Sequence, residues 1–223
     1  MTHAPPLPSI APEDLFRLRF VQNGRLSPDA AAVAYSVSFT DPANDADRAA
    51  IWLQAIATGE RRQLTDGAAY DTNPQWSPNG KTLAFRSNRD GRMQIYLLPA
   101  GSGGSEARQL TYLPQGVGDD FAWSPDGRWI AFSAGPTRPA FDPNRPYRIT
   151  RAMYRLDGMG YVDNAIHDLY AIAADGGEPI QLTHDACHNT RPVWSPDGKQ
   201  ILYETTLFPN SYRFFPALRL VGF

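Results

Sequence analysis

His184, Asp185, Cys187 and His188 bring imidazole, carboxylate and thiol side chains into one short stretch of this 223-residue chain. These are the donor types that hold zinc, which takes four of them in a tetrahedron. The spacing His-x-x-Cys-His matches no standard zinc or haem pattern, and no second ligand pair accompanies it. The expectation is a solvated loop with a half-buried cysteine, and neither metal nor cofactor. Gly101-Ser102-Gly103-Gly104-Ser105 has the composition of a serine nucleophile elbow but not its Gly-x-Ser-x-Gly spacing. It reads as a turn. Acyl transfer needs a nucleophile activated by a base, with donors for the oxyanion. No elbow occurs anywhere, and His3, His167, His184 and His188 are the only histidines, so no catalytic residue is assigned.

A third concentration lies between about Gly135 and Asp163, where Arg138, Arg145, Arg148, Arg151 and Arg155 alternate with Tyr147, Tyr154 and Tyr161. Arginines among aromatics suit nucleic acid, but Asp142, Asp157 and Asp163 interleave with them. The whole chain balances 21 Lys and Arg against 23 Asp and Glu, a net charge of −2, so neither nucleic acid nor a membrane surface is an expected partner. No apolar run approaches the roughly 18 residues that span a bilayer. Met1 to Ala11 carries no basic or apolar leader region, and the expected location is the cytoplasm. The single cysteine excludes an internal disulfide framework.

The elements that hold these residues are set by an internal repeat. Trp76-Ser77-Pro78-Asn79-Gly80, Trp123-Ser124-Pro125-Asp126-Gly127 and Trp194-Ser195-Pro196-Asp197-Gly198 each precede an apolar, β-prone run. Leu26-Ser27-Pro28-Asp29 is a degenerate first copy. Proline presets φ at the second turn position, Asp or Asn suits the third, and glycine accepts positive φ. The first three units close on Gln63-Leu64-Thr65, Gln109-Leu110-Thr111 and Gln181-Leu182-Thr183. Further turns inside each unit give four strands joined by hairpins, which describes a propeller blade. The tryptophans read as core packed between neighbouring blades.

The predicted fold is all-β: a partial propeller of four-stranded antiparallel blades, about three and a half of them, behind a short helix near Pro12 to Leu18. The lead helix and blade 1 span about 12–66, blade 2 about 70–112, blade 3 with its insertion about 118–184, and a partial blade 4 about 188–223. Propellers avoid bare sheet edges by closing their ring. An open one is expected to be incomplete, of marginal stability, and prone to self-association through its edges.

The opening Pro12-Glu13-Asp14-Leu15-Phe16-Arg17-Leu18, followed by Arg25-Leu26-Ser27-Pro28-Asp29, resembles the start of peptidases of the prolyl oligopeptidase family. Arg151-Ala152-Met153-Tyr154-Arg155-Leu156-Asp157-Gly158-Met159-Gly160-Tyr161, continuing to His167-Asp168-Leu169-Tyr170, is similar to its acylaminoacyl-peptidase branch. The Trp-Ser-Pro-Asp-Gly repeats are shared with TolB-like propellers. The resemblance implies an N-terminal propeller that admits short peptides to a C-terminal α/β-hydrolase domain, which is the implied partner and is absent from this sequence. The chain is therefore expected to lack peptidase activity by itself. The insertion then has two readings. Its arginines pair locally on a solvated excursion, or Arg151, Tyr154, Arg155 and Asp157 include gating residues at the mouth of the peptide cavity, where a guanidinium's fixed fork suits a peptide carboxylate. The competing function is a TolB-like module that binds a protein and never catalyses.

Overall fold

The computed structural model describes residues 11–101, 107–135, 146, 155–156, 160–161, 167–185, 187–207 and 215–223. Each blade starts from its turn. The Ser hydroxyl of all four Ser-Pro-Asp/Asn turns donates to Oδ1 two residues on, at 2.6–2.8 Å. That oxygen also accepts the backbone N–H two residues further along, at 3.0–3.1 Å. The Ser oxygen accepts the N–H five residues ahead of it. Every bond closes inside six residues, so the turn forms from local sequence alone. Gly80, Gly127 and Gly198 stand at φ +69 to +70°, and Ala30 holds the same place at +57°.

Alternating β-prone runs then pair into antiparallel sheets. The first is β1 (Phe20–Leu26), β2 (Ala32–Asp41), β3 (Ala46–Ala55) and β4 (Arg61–Gln63). The second is β5 (Thr72–Trp76), β6 (Thr82–Ser87), β7 (Gln94–Pro99) and β8 (Arg108–Gln109). The third joins β9 (Phe121–Trp123), β10 (Trp129–Ala134), β13 (Asp168–Ala173) and β14 (Ile180–Gln181). A two-stranded hairpin, β11 (Arg155–Leu156) with β12 (Gly160–Tyr161), interrupts it between its second and third strands. The fourth sheet has three strands, β15 (His188–Trp194), β16 (Gln200–Leu207) and β17 (Phe215–Gly222). Among the described residues, three four-stranded blades and one of three strands bear out the predicted partial propeller. The lead segment is a 3-10 helix, Pro12–Arg17, with Asp14 accepting the Ala11 N–H.

Three apolar clusters lie between successive sheets. Ala34, Ile51 and Leu64 of the first face Leu83, Phe85, Tyr96 and Leu98 of the second. Ala84, Ile95 and Leu97 face Phe121, Ile130, Phe132 and Ile172. Ala131 and Leu169 face Trp194, Ile201 and Tyr203. The tryptophans join one blade to the last: indole Nε1–H of Trp76, Trp123 and Trp194 donates to the carbonyls of Arg25, Gln75 and Ala122 at 3.0, 3.3 and 3.1 Å. The turns join too, since Gly80, Gly127 and Gly198 rest against Pro28, Pro78 and Pro125. At the outer edge, the Thr of each Gln-Leu-Thr accepts the N–H of Ile51, Ile95 or Leu169 on its hydroxyl at 2.9–3.0 Å. The Gln amide donates to the Thr carbonyl, so a strand of two or three residues still ends with its polar groups satisfied.

Candidate functional site

The first strands β1, β5, β9 and β15 run side by side at the inner edge of the array. Three carry a bulge, where pairing with the next strand slips between Gln22 and Arg25, Thr72 and Gln75, and Thr190 and Val193. A bulge re-aims a side chain out of the ladder. The residues it turns, Asn23, Asn73 and Arg191, sit at φ +51 to +55°. Each lies four positions before the serine of its Ser-Pro turn, and Asp120 holds that place in blade 3.

These polar groups connect the blades along the inner edge. Asn23 Nδ2 donates to Thr72 Oγ1 at 3.1 Å, and Asn73 Nδ2 to the Asp119 carbonyl at 3.1 Å. Gln75 Nε2 donates to the Phe121 carbonyl at 2.8 Å. Arg191 lies 3.6 Å from Asp120 and 3.0 Å from Glu204. Behind this row the buried Arg86 reaches Asp119 at 3.1 Å, while the Asp119 carboxylate itself is 92% exposed. Burial lowers the Arg86 pKa and the neighbouring Asp119 opposes the shift. The row offers amide donors and acceptors, exposed carboxylates and an exposed guanidinium, a set that can hydrogen-bond a peptide backbone and its charged ends. It holds no nucleophile with a base.

The sequence candidates fall elsewhere. Arg151, Tyr154 and Asp157 lie outside the described residues, and Arg155 pairs with Tyr161 across the small hairpin. Of the Gly101–Ser105 run only Gly101 is described, in the turn after β7. The His-Cys cluster joins blade 3 to blade 4. His188 Nδ1 accepts the His167 N–H at 3.3 Å, with the two rings 4.6 Å apart. Burial lowers the His188 pKa. Asp185 accepts from Asn189 at 2.7 Å and from Arg219 at 2.6 Å. No group of three or more His, Cys, Asp or Glu is placed to hold a metal among the described residues, and none of their helices is long and apolar enough to cross a membrane. The inner-edge row was missed from sequence; its signal was a polar residue at a fixed distance before each turn.

Residues 19–144, more than half of the chain, match the TolB beta propeller domain. The chain belongs to the TolB β-propeller domain family. This TolB-type propeller is 31% identical over 208 residues to the uncharacterized peptidase YuxL of Bacillus subtilis, covering 89% of this chain and 31% of that protein. Against dipeptidyl-peptidase 5 of Porphyromonas gingivalis it is 31% identical over 214 residues, covering 87% and 31%. It thus spans about a third of the length of these curated relatives. The fold of Pyrococcus horikoshii acylaminoacyl peptidase superposes with a TM-score of 0.68 at 17% identity, over 92% of this chain and 31% of that one. A putative TolB from Agrobacterium tumefaciens superposes at 0.58 and 22% identity, over 89% and 60%. The resemblance to peptidase propellers is borne out by these relatives.

Proposed function

We propose that this propeller works beside an α/β-hydrolase domain of a serine peptidase and controls which peptides reach it. The observation that carries the reading is the 31% identity to a named peptidase along 89% of the chain. The inner-edge row of Asn23, Asn73, Asp119, Asp120 and Arg191 supports it, because an opening lined with such groups favours short unfolded chains whose amides are free to bond. Arg151, Tyr154, Arg155 and Asp157 are the gating candidates on the insertion. Catalysis belongs to the hydrolase partner, and a water-poor interface between the two would strengthen its electrostatics.

Titrating the isotopically labelled chain with short peptides, and following its amide NMR signals, tests the reading. Shifts at Asn23, Asn73 and Asp119–Asp120, weakened in Arg191→Ala, are the expected result. Shifts confined to the outer strands, or none at millimolar peptide, overturn it. The likeness to the Agrobacterium TolB structure, of which this chain covers 60%, favours a second reading, a protein-binding module. Tight binding of a folded protein at this row with no response to peptides would select that one.

A further inference from the structure

We infer that the junction between blades 3 and 4 is a proton-operated clamp, closed while His188 is neutral and released when acid protonates it. The inference is independent of the gating proposal, since it concerns only how two blades are fastened.

One fastening recurs from blade to blade. Ala49, Met93 and His167 hold the same place in blades 1, 2 and 3, seven positions before Ile56, Ala100 and Ala174. Those three residues are equivalent because their N–H groups bond to Ala31, Lys81 and Arg128, at the end of each Ser-Pro turn. The carbonyls of Ala49, Met93 and His167 each accept an N–H from the chain entering the next blade: Asp71, Val117 and Asn189, at 3.0, 2.8 and 2.8 Å. Blade 1 adds a second bond, from the Ala49 N–H to the Ala69 carbonyl at 3.1 Å. His167 has this second bond too, but its acceptor is a side chain, His188 Nδ1 at 3.3 Å. The two backbone groups of His167 thus meet adjacent residues of blade 4, His188 and Asn189. Backbone alone fastens blade 1 to blade 2, at any pH. Between blades 3 and 4 one bond of the pair passes through an imidazole.

A ring nitrogen accepts an N–H only through its lone pair, so this bond requires a neutral His188 with its proton on Nε2. Protonation places a hydrogen on Nδ1, facing the N–H it had received, with the His167 ring 4.6 Å away. The titratable and charged groups on the surrounding elements are Asp168 on β13, His184, Asp185 and Cys187 before β15, Arg191 on it, Tyr203 and Glu204 on β16, and Arg219 on β17. The carboxylates are engaged elsewhere. Asp168 accepts from Thr183 and Gln181 at 2.8 and 3.0 Å, Asp185 from Asn189 and Arg219 at 2.7 and 2.6 Å, and Glu204 from Arg191 at 3.0 Å. None of them bonds to His188 among the described residues, and burial lowers its pKa from the ordinary 6.5. The unfolded chain then takes up the proton first. The clamp's contribution is complete above 6.5 and is lost as pH falls through the lower, folded-state value. Release is confined to one end of the junction. At the far end of β15, Trp194 Nε1–H donates to the Ala122 carbonyl at 3.1 Å beside the apolar Ala131, Leu169 and Ile201, and no group among these titrates. Acid therefore frees the end at His167, where the chain returns to blade 3 from the segment that carries Arg151, Tyr154, Arg155 and Asp157.

Amide hydrogen exchange of the full chain, read residue by residue by NMR, tests the clamp, with Ala49 as its internal control. Protection of the His167 N–H should fall about tenfold or more relative to Ala49 between about pH 7.5 and about pH 5. The Trp194 indole N–H should keep its protection over the same range. His188→Asn sets an oxygen acceptor near the place of Nδ1 and does not titrate, so it should hold the ratio constant with pH. His188→Leu should leave the His167 N–H unprotected at both pH values. Far-UV circular dichroism checks that each variant folds. Ring nitrogen shifts of the unaltered chain give a reading that needs no variant: a proton on Nε2 of His188 at neutral pH, and a titration midpoint below that of a free histidine. A His167 amide that tracks Ala49 with pH, a fall that persists in folded His188→Asn, protection retained in folded His188→Leu, or a neutral His188 with its proton on Nδ1 overturns the inference.

Discussion

Ala30 stands at φ +57° where the other three turns place glycine near +70°. An L-residue pays there for the close approach of its Cβ to the following carbonyl, and Ala30 is exposed, with no packing to offset it. Ala30→Gly should stabilise the chain by about 0.5–1 kcal/mol, seen as a rise in Tm of roughly 1–4 °C. The acid in the same turn sets a pH dependence. The Ser124 hydroxyl, then the backbone and side chain of Arg128, hold Asp126 down to about 2 from the ordinary 3.8. Its folded-state pKa is depressed, so its contribution is complete above the unfolded value and is lost as pH falls from 3.8 through about 2. Asp29 and Asp197 are lowered by the equivalent serines, Ser27 and Ser195. Asn79 fills that place in blade 2 and does not titrate. Asp126→Asn should therefore flatten the loss of stability between pH 4 and 2 in acid titrations followed by circular dichroism.

Within an element, the edge strands rest on a side chain more than on their length. Thr111 Oγ1 accepts the Ile95 N–H at 2.9 Å and donates to Gln94 Oε1 at 2.7 Å, and the residue is fully buried. Thr111→Val keeps the shape but strands the Ile95 N–H and leaves Gln94 Oε1 with only the Leu113 N–H at 3.3 Å, which should cost about 1–3 kcal/mol in urea unfolding. Its Ser variant should recover most of that. The Gln-Leu-Thr signature was visible in the sequence, and so were the turns and the four-strand count, because each is written in residues close along the chain. The bulges at Asn23, Asn73 and Arg191 were not. Their left-handed backbone follows from two residues facing one on the neighbouring strand, a property of register that local composition does not carry. The tryptophans were legible as core between blades. Their N–H bond to the preceding blade was not, since its acceptor is a backbone carbonyl 48–72 residues away. The His-Cys cluster looked chemical by residue type alone, and the structure uses its groups to fasten the start of blade 4.

At the scale of the molecule, among the described residues each of the four larger sheets meets only the one before and the one after it in the chain. The first and last have a neighbour on one side only. Such an array behaves as a linear, Ising-like chain: every unit has an intrinsic stability, every junction adds a coupling, and units at the ends lack one coupling. Opening then begins at the ends, and amide hydrogen exchange reads it directly. Amides of β6 and β10 should exchange most slowly, and those of β2 and β17 faster by at least about tenfold. Uniform protection across all four sheets would mean that unfolding is all-or-none.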